Sequence, residues 1–193
     1  MDALDAAVRT FAPAELKKVC VLATAAAFRG PRDAIDELSS RGVWGDLRPV
    51  GVEALDRASA SDHAVLSAVD AADLVVLVDG AVLHARSVWR ATPLGESLRS
   101  HSLLAVGSVG SVLGDTMIDP RGGAPTTGLG FFDDVVVTVT AGEEQTLRTR
   151  SLLGQRATLL ELGRHSVVTF DGQWRVVVDD DLLVTRDGVV SVL

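Results

Sequence analysis

The run Leu103 to Asp115, Leu-Leu-Ala-Val-Gly-Ser-Val-Gly-Ser-Val-Leu-Gly-Asp, holds the residues with the clearest chemical potential. An apolar stretch ends there at Gly107-Ser108-Val109-Gly110. A serine on a tight strand-to-helix turn with small neighbours resembles a nucleophile elbow, which presents a hydroxyl for attack on a carbonyl carbon. The elbow pattern is Gly-x-Ser-x-Gly. With Ser108 as the nucleophile, Gly110 supplies the second glycine and Val106 stands where the first belongs. Such chemistry needs a positioned base and donors for the developing oxyanion. Glycine and serine are also ordinary loop residues, so the turn alone does not make a nucleophile.

Other reactive side chains offer less. The one cysteine, Cys20, lies inside the apolar run Val19 to Leu22 and reads as a buried structural thiol. His63, His84 and His101 fall near the starts or ends of helical stretches, as solvated or capping residues. Asp119 before Pro120 reads as a turn opener, and Glu143-Glu144 as the solvated first turn of a helix. No Cys or His spacing matches a zinc site, and Gly122-Gly123 alone does not make a phosphate loop. Neither a metal nor a cofactor is expected.

These residues must be positioned by a scaffold. A chain of 193 residues suits one domain, expected over 1–193 with residues 1–16 as a peripheral segment. With 47% hydrophobic residues but only 4% aromatics and no tyrosine, the core must be filled by Val, Leu and Ala, which suits a buried sheet. The net charge of −8 and the absence of a basic run argue against nucleic acid or an anionic membrane as partner. The N-terminus has no secretory pattern and no uncharged run is long enough to span a bilayer, so a cytoplasmic protein is expected.

Buried strands are expected at Val19–Thr24, Leu47–Val52, Asp73–Asp79 and Leu103–Val106. Helices are expected between them: Pro31–Arg41, a segment from Ala64 capped by Ser61-Asp62, and Val82–Ser100 with a kink or restart at Pro93. A short helix precedes them at Asp2–Phe11. This alternation predicts a largely parallel sheet covered on both faces. A strand at Val135–Val139 and a helix at Glu143–Leu153 follow. Then come five short runs with turns at Asp171-Gly172 and Asp187-Gly188, which predict an antiparallel meander.

Several blocks also carry a resemblance. Ala72-Asp73-Leu74-Val75-Val76-Leu77-Val78-Asp79-Gly80 comes first, then Leu83–Leu94 with Arg86-Ser87-Val88 and Thr92-Pro93-Leu94, then the elbow. The run from Gly114-Asp115-Thr116 through Asp119-Pro120-Arg121-Gly122-Gly123-Ala124 to Gly128-Leu129-Gly130 completes the order. In this order they resemble the cyanophycinase and dipeptidase E family of serine peptidases, within the class I glutamine amidotransferase-like superfamily. The resemblance covers most of residues 18–190 and is densest over 72–130. It implies a three-layer α/β/α fold, flavodoxin-like or class I glutamine amidotransferase-like, whose mostly parallel sheet ends in the C-terminal meander.

In that family a serine at the elbow attacks the amide, a histidine takes its proton, an acid assists, and a Gly-Gly turn holds the oxyanion. Here Ser108 matches the nucleophile, with Ser111 as the second candidate, because Gly-Ser-Ser-Ala-Gly-Ala becomes Val106-Gly107-Ser108-Val109-Gly110-Ser111. The Gly-Gly pair becomes Asp79-Gly80, and a carboxylate there opposes a forming oxyanion. The family histidine is met by Thr140, which cannot serve as a base at neutral pH; losing a positioned base costs on the order of a hundredfold or more in rate. His165, where the family has an acidic loop, is the candidate among the histidines to stand in as base.

The resemblance therefore implies a non-catalytic homologue that acts by binding, either as the partner of an active homologue or as a homodimer offering its old pocket to a small ligand. The alternative is an active serine hydrolase that cleaves peptide or isopeptide bonds through Ser108 and His165. Glutamine amidotransfer would need a cysteine at the elbow, and Cys20 lies in a different strand.

Overall fold

The computed structural model describes residues 3–11, 16–139, 143–153, 157–187 and 189–191. The chain divides into two compact units, Val8–Val109 and Met1–Ala7 together with Gly110–Leu193.

A short helix, α1 (Ala3–Arg9), opens the described chain. The unit Val8–Val109 is built on four strands, β1 (Val19–Leu22), β2 (Val50–Val52), β3 (Leu74–Leu77) and β4 (Leu103–Ala105). They pair in parallel in the order β2-β1-β3-β4. Every residue of Val-Cys-Val-Leu in β1 and Leu-Val-Val-Leu in β3 is buried, as befits central parallel strands that meet apolar side chains on both faces.

Three of the helices of this unit start where the sequence supplies a proline or a capping side chain. In α2 (Pro31–Ser39) a proline fills the first turn, where an N–H would go unpaired, and Asp33 faces the positive end of the helix dipole. The side chain of Asp62 accepts the N–H groups of Ala64 and Val65 at 2.7 and 3.2 Å and so starts α3 (His63–Asp70). The long helix expected across Pro93 is two: α4 (Val82–Trp89) and α5 (Pro93–Arg99). Thr92 makes the break, since its hydroxyl donates to the carbonyls of Val88 and Trp89 and accepts the Gly95 N–H. The second strand is also shorter than expected, beginning at Val50 rather than Leu47.

In the unit containing Gly110–Leu193, β5 (Thr116–Ile118) and β6 (Pro125–Thr127) form an antiparallel hairpin. The segment Asp119-Pro120-Arg121-Gly122-Gly123, read from the sequence as a turn-rich loop opened by Asp119, is its turn, and the two short strands that flank it are not among the expected ones. Next come β7 (Val135–Val139), α6 (Glu143–Leu153) and β8 (Thr158–Leu162), with β7 and β8 parallel. Val136, Leu153, Leu159 and Ile118 pack together, and Val137, Leu160 and Val184 form a second cluster.

The remaining strands, β9 (Val167–Phe170), β10 (Trp174–Val178), β11 (Leu183–Arg186) and β12 (Val189–Ser191), are all antiparallel to the strands they pair with. They divide between two sheets, β12-β11-β8-β7 and the separate hairpin β10-β9. Both edges of β8 are taken, one by β7 and the other by β11, so β9 does not pair with its sequence neighbour, and among the described residues β9 and β10 pair with each other. The molecule is thus an α/β fold with a four-stranded parallel sheet and antiparallel strands toward its C-terminus. Among the described residues no helix is long and apolar enough to cross a membrane.

Candidate functional site

Parallel pairing of β3 with β4 brings two loops together. Leu77 is in register with Ala105, so Asp79 and Gly107, each two residues further along, emerge side by side at the carboxyl edge of the sheet. The ladder continues past the strand ends, with Val106 N–H donating to the Leu77 carbonyl at 3.0 Å. The chain then turns sharply into a 3-10 helix, Gly107–Val112. This is a strand-to-helix turn, and Ser108 sits on it, half-buried.

The geometry of the turn is unlike that of an open elbow. Its left-handed φ, 66°, falls on Gly107 and not on Ser108. The Ser108 hydroxyl donates to Asp79 Oδ1 at 2.7 Å, and the Ser108 N–H donates to the same oxygen at 2.8 Å. A Cβ built on Gly107 would overlap the carboxyl carbon of Asp79 and lie 2.7 Å from both of its oxygens. The carboxylate therefore fills the space that a side chain at 107 would occupy.

Two further contacts hold Asp79 there. The Arg29 guanidinium donates to the Asp79 carbonyl at 2.6 Å. At Gly80, φ is 153° and a Cβ would overlap the carbonyl oxygen of Ala25, which itself accepts the Ala81 N–H at 2.7 Å. The loop after β3 is thus pressed against the loop after β1, and only glycine fits between them. Electrostatically the result opposes acyl transfer. The backbone N–H that follows the strained residue of an elbow belongs to the oxyanion hole, and here that donor is already bonded to a carboxylate oxygen. As a base for the serine, a carboxylate is a much weaker acceptor of an alcohol proton than imidazole.

The other candidate residues are placed as follows. Ser111 is buried at 8% exposure in the 3-10 segment. Thr140 lies outside the described residues. His165 belongs to the unit containing Gly110–Leu193, exposed in the turn between β8 and β9, with its backbone N–H donating to Asp180 Oδ2 at 3.0 Å. Asp119 closes the β5–β6 turn by accepting the Arg121 N–H at 2.9 Å and its guanidinium at 2.7 and 3.0 Å. These bonds pull the Asp119 carboxyl down to about 2.

The histidines in the parallel-sheet unit have structural partners. His84 Nε2 donates to the Leu55 carbonyl at 2.8 Å, and His101 Nδ1 donates to the Ser97 carbonyl at 2.7 Å. Cys20 is 1% exposed, and burial pushes its thiol up to about 12, as a structural thiol requires. Among the described residues no three His, Cys, Asp or Glu side chains are grouped to hold a metal ion.

Two participants were not singled out from the sequence: Gly107, whose φ depends on the turn, and Arg29, whose contact spans 50 residues. The available signal was Asp79 itself, a carboxylate where small residues would be expected beside an elbow.

No protein-family model and no curated protein matches the chain. Among solved structures it is similar to a peptidase from an acI-B1 Actinobacterium, with a TM-score of 0.71 and 17% identity over 95% of this chain and 83% of that one. At that identity the likeness is one of fold.

Proposed function

We propose that this chain is a non-catalytic relative of the cyanophycinase and dipeptidase E-type serine peptidases, working in the cytoplasm by binding a partner protein or a small ligand, as a homodimer or with an active homologue. The observation that carries the reading is the double engagement of Ser108 by Asp79 Oδ1, through the hydroxyl at 2.7 Å and the N–H at 2.8 Å. A serine poised for acyl transfer needs its hydroxyl on a strong base and free to attack, and here the hydroxyl and the serine's own N–H are both committed to one carboxylate oxygen. The fold shared with a protein described as a peptidase supports the peptidase ancestry. Thr140 in place of the family histidine supports the loss of activity.

The same hydrogen bond favours one competing reading, a hydrolase in which Asp79 takes the Ser108 proton. Treatment with a fluorophosphonate probe separates the two. The expected result is no labelling of the native chain. Labelling of Ser108 that disappears in Ser108→Ala would establish the hydrolase instead. Affinity purification from the native source, read by mass spectrometry, identifies the partner that a binding role requires.

A further inference from the structure

We propose that residue 107, and not Ser108, occupies the position from which this turn would present a nucleophile, and that the Asp79 carboxylate stands where its reactive atom would be. This deepens the non-catalytic reading of the same site and rests on it. Two marks identify the nucleophile in a strand-to-helix elbow: it carries the strained backbone, and the next residue's N–H points at the anion formed during reaction. Both marks fall on 107. Its φ is 66°, and the N–H of the next residue, Ser108, is bonded to an anionic oxygen at 2.8 Å.

The space test agrees. A Cβ at 107 would lie 2.7 Å from both Asp79 oxygens, so an atom one bond further out falls within the volume those oxygens hold. Glycine at 107 and a carboxylate at 79 are thus two halves of one exchange. The side chain lost from the turn after β4 is replaced by one reaching in from the turn after β3. Ser108 then serves as a clamp that fixes Asp79.

Thiol scanning tests the assignment, because Cys20 is buried with its thiol raised to about 12 and gives a silent background. Two double variants are compared, Gly107→Cys with Asp79→Gly and Ser108→Cys with Asp79→Gly, by the pH dependence of iodoacetamide alkylation, in which the thiolate forms an S–C bond and iodide leaves. A sulfur at 107 inherits the anion's place beside the Ser108 N–H. Its alkylation midpoint is expected at least one pH unit below the ordinary thiol value of about 8.5, while the cysteine at 108 stays near that value. A lower midpoint at 108 than at 107, or equal midpoints, overturns the proposal.

A nearly isosteric single variant keeps the test decisive if a cysteine at 107 prevents folding. With Asp79 intact, the thiol of Ser108→Cys faces the carboxylate, and like charge should raise its midpoint above that of the Asp79→Gly partner. A lowered midpoint there would mean that position 108 is the activated one. Fluorophosphonate labelling of the unaltered chain sinks the non-catalytic reading, whereas a wrong order of thiol midpoints in a chain that stays unlabelled sinks only this assignment.

Discussion

Adding a single methyl group at Gly107 should destabilise the protein, and most of that cost should vanish when Asp79 is shortened. The φ of 66° at Gly107 is left-handed, a region that costs an alanine about 1–2 kcal/mol. The new Cβ would also overlap the Asp79 carboxyl carbon and lie 2.7 Å from both of its oxygens, and reaching van der Waals separation forces the carboxylate back by roughly 1 Å. That retreat stretches the bonds to the Ser108 N–H and hydroxyl, now 2.8 and 2.7 Å, to about 3.5 Å, where little hydrogen bonding remains. A hydrogen bond to a charged group contributes about 1.5–3 kcal/mol. Gly107→Ala should therefore cost about 2.5–5 kcal/mol, the two bonds to one oxygen being counted as a single interaction, but only about 1–2 kcal/mol in an Asp79→Ala background. The coupling energy from a double-mutant cycle should be about 1.5–3 kcal/mol, measured from denaturant midpoints on the full chain. Additivity within about 0.5 kcal/mol would refute the claim that the carboxylate occupies the space over Gly107.

Elsewhere in the chain, Glu161 is 4% exposed and its Oε2 accepts both Nε and Nη2 of Arg150, at 2.8 and 2.7 Å. Arg150→Met should cost about 3–5 kcal/mol by leaving a buried charge unpaired, and Arg150→Met with Glu161→Leu should recover most of it in denaturant titrations. Cys20 should resist aromatic disulfide reagents at pH 8 in the folded protein and react fully once denaturant is added, since burial holds its thiol at about 12. Carboxyl NMR should place the Asp119 midpoint at about 2 and show it rising in Arg121→Ala. Because the folded-state value is depressed, whatever Asp119 adds to stability is complete above its unfolded value of about 4 and is lost as the pH falls toward the folded one.

Legibility in the sequence followed the range of the interactions involved. Val19–Leu22 and Leu74–Leu77 were readable because an uninterrupted apolar run of that length suits a strand buried on both faces. The Asp62 cap, the restart at Thr92-Pro93 and the bounds of Glu143–Leu153 were readable because each depends on residues within a few positions of one another. Pairings set by distant partners were not. Thr116–Ile118 and Pro125–Thr127 are three residues each, too short for a periodic signal, and β8 chooses β11 over its sequence neighbour β9. The same limit applies at the turn after β4. The sequence shows a glycine before a serine, but only the parallel register of Leu77 with Ala105 brings a carboxylate over that glycine.

That juxtaposition ties the stability of the turn to the very contact that opposes chemistry. An open elbow leaves a backbone donor unmet until substrate arrives, and a half-buried unmet donor is a standing cost. Here Asp79 satisfies the donor and the adjacent hydroxyl together, so the strain at Gly107 is held by a bond inside the chain rather than stored for a ligand. Returning either position alone is unfavourable. A side chain at 107 meets the carboxylate, while removing the carboxylate strips Ser108 of two bonds and leaves a gap over Gly107. A route to an open site has to change both residues at once. The parts of the turn that support the fold are therefore the ones that acyl transfer would need released.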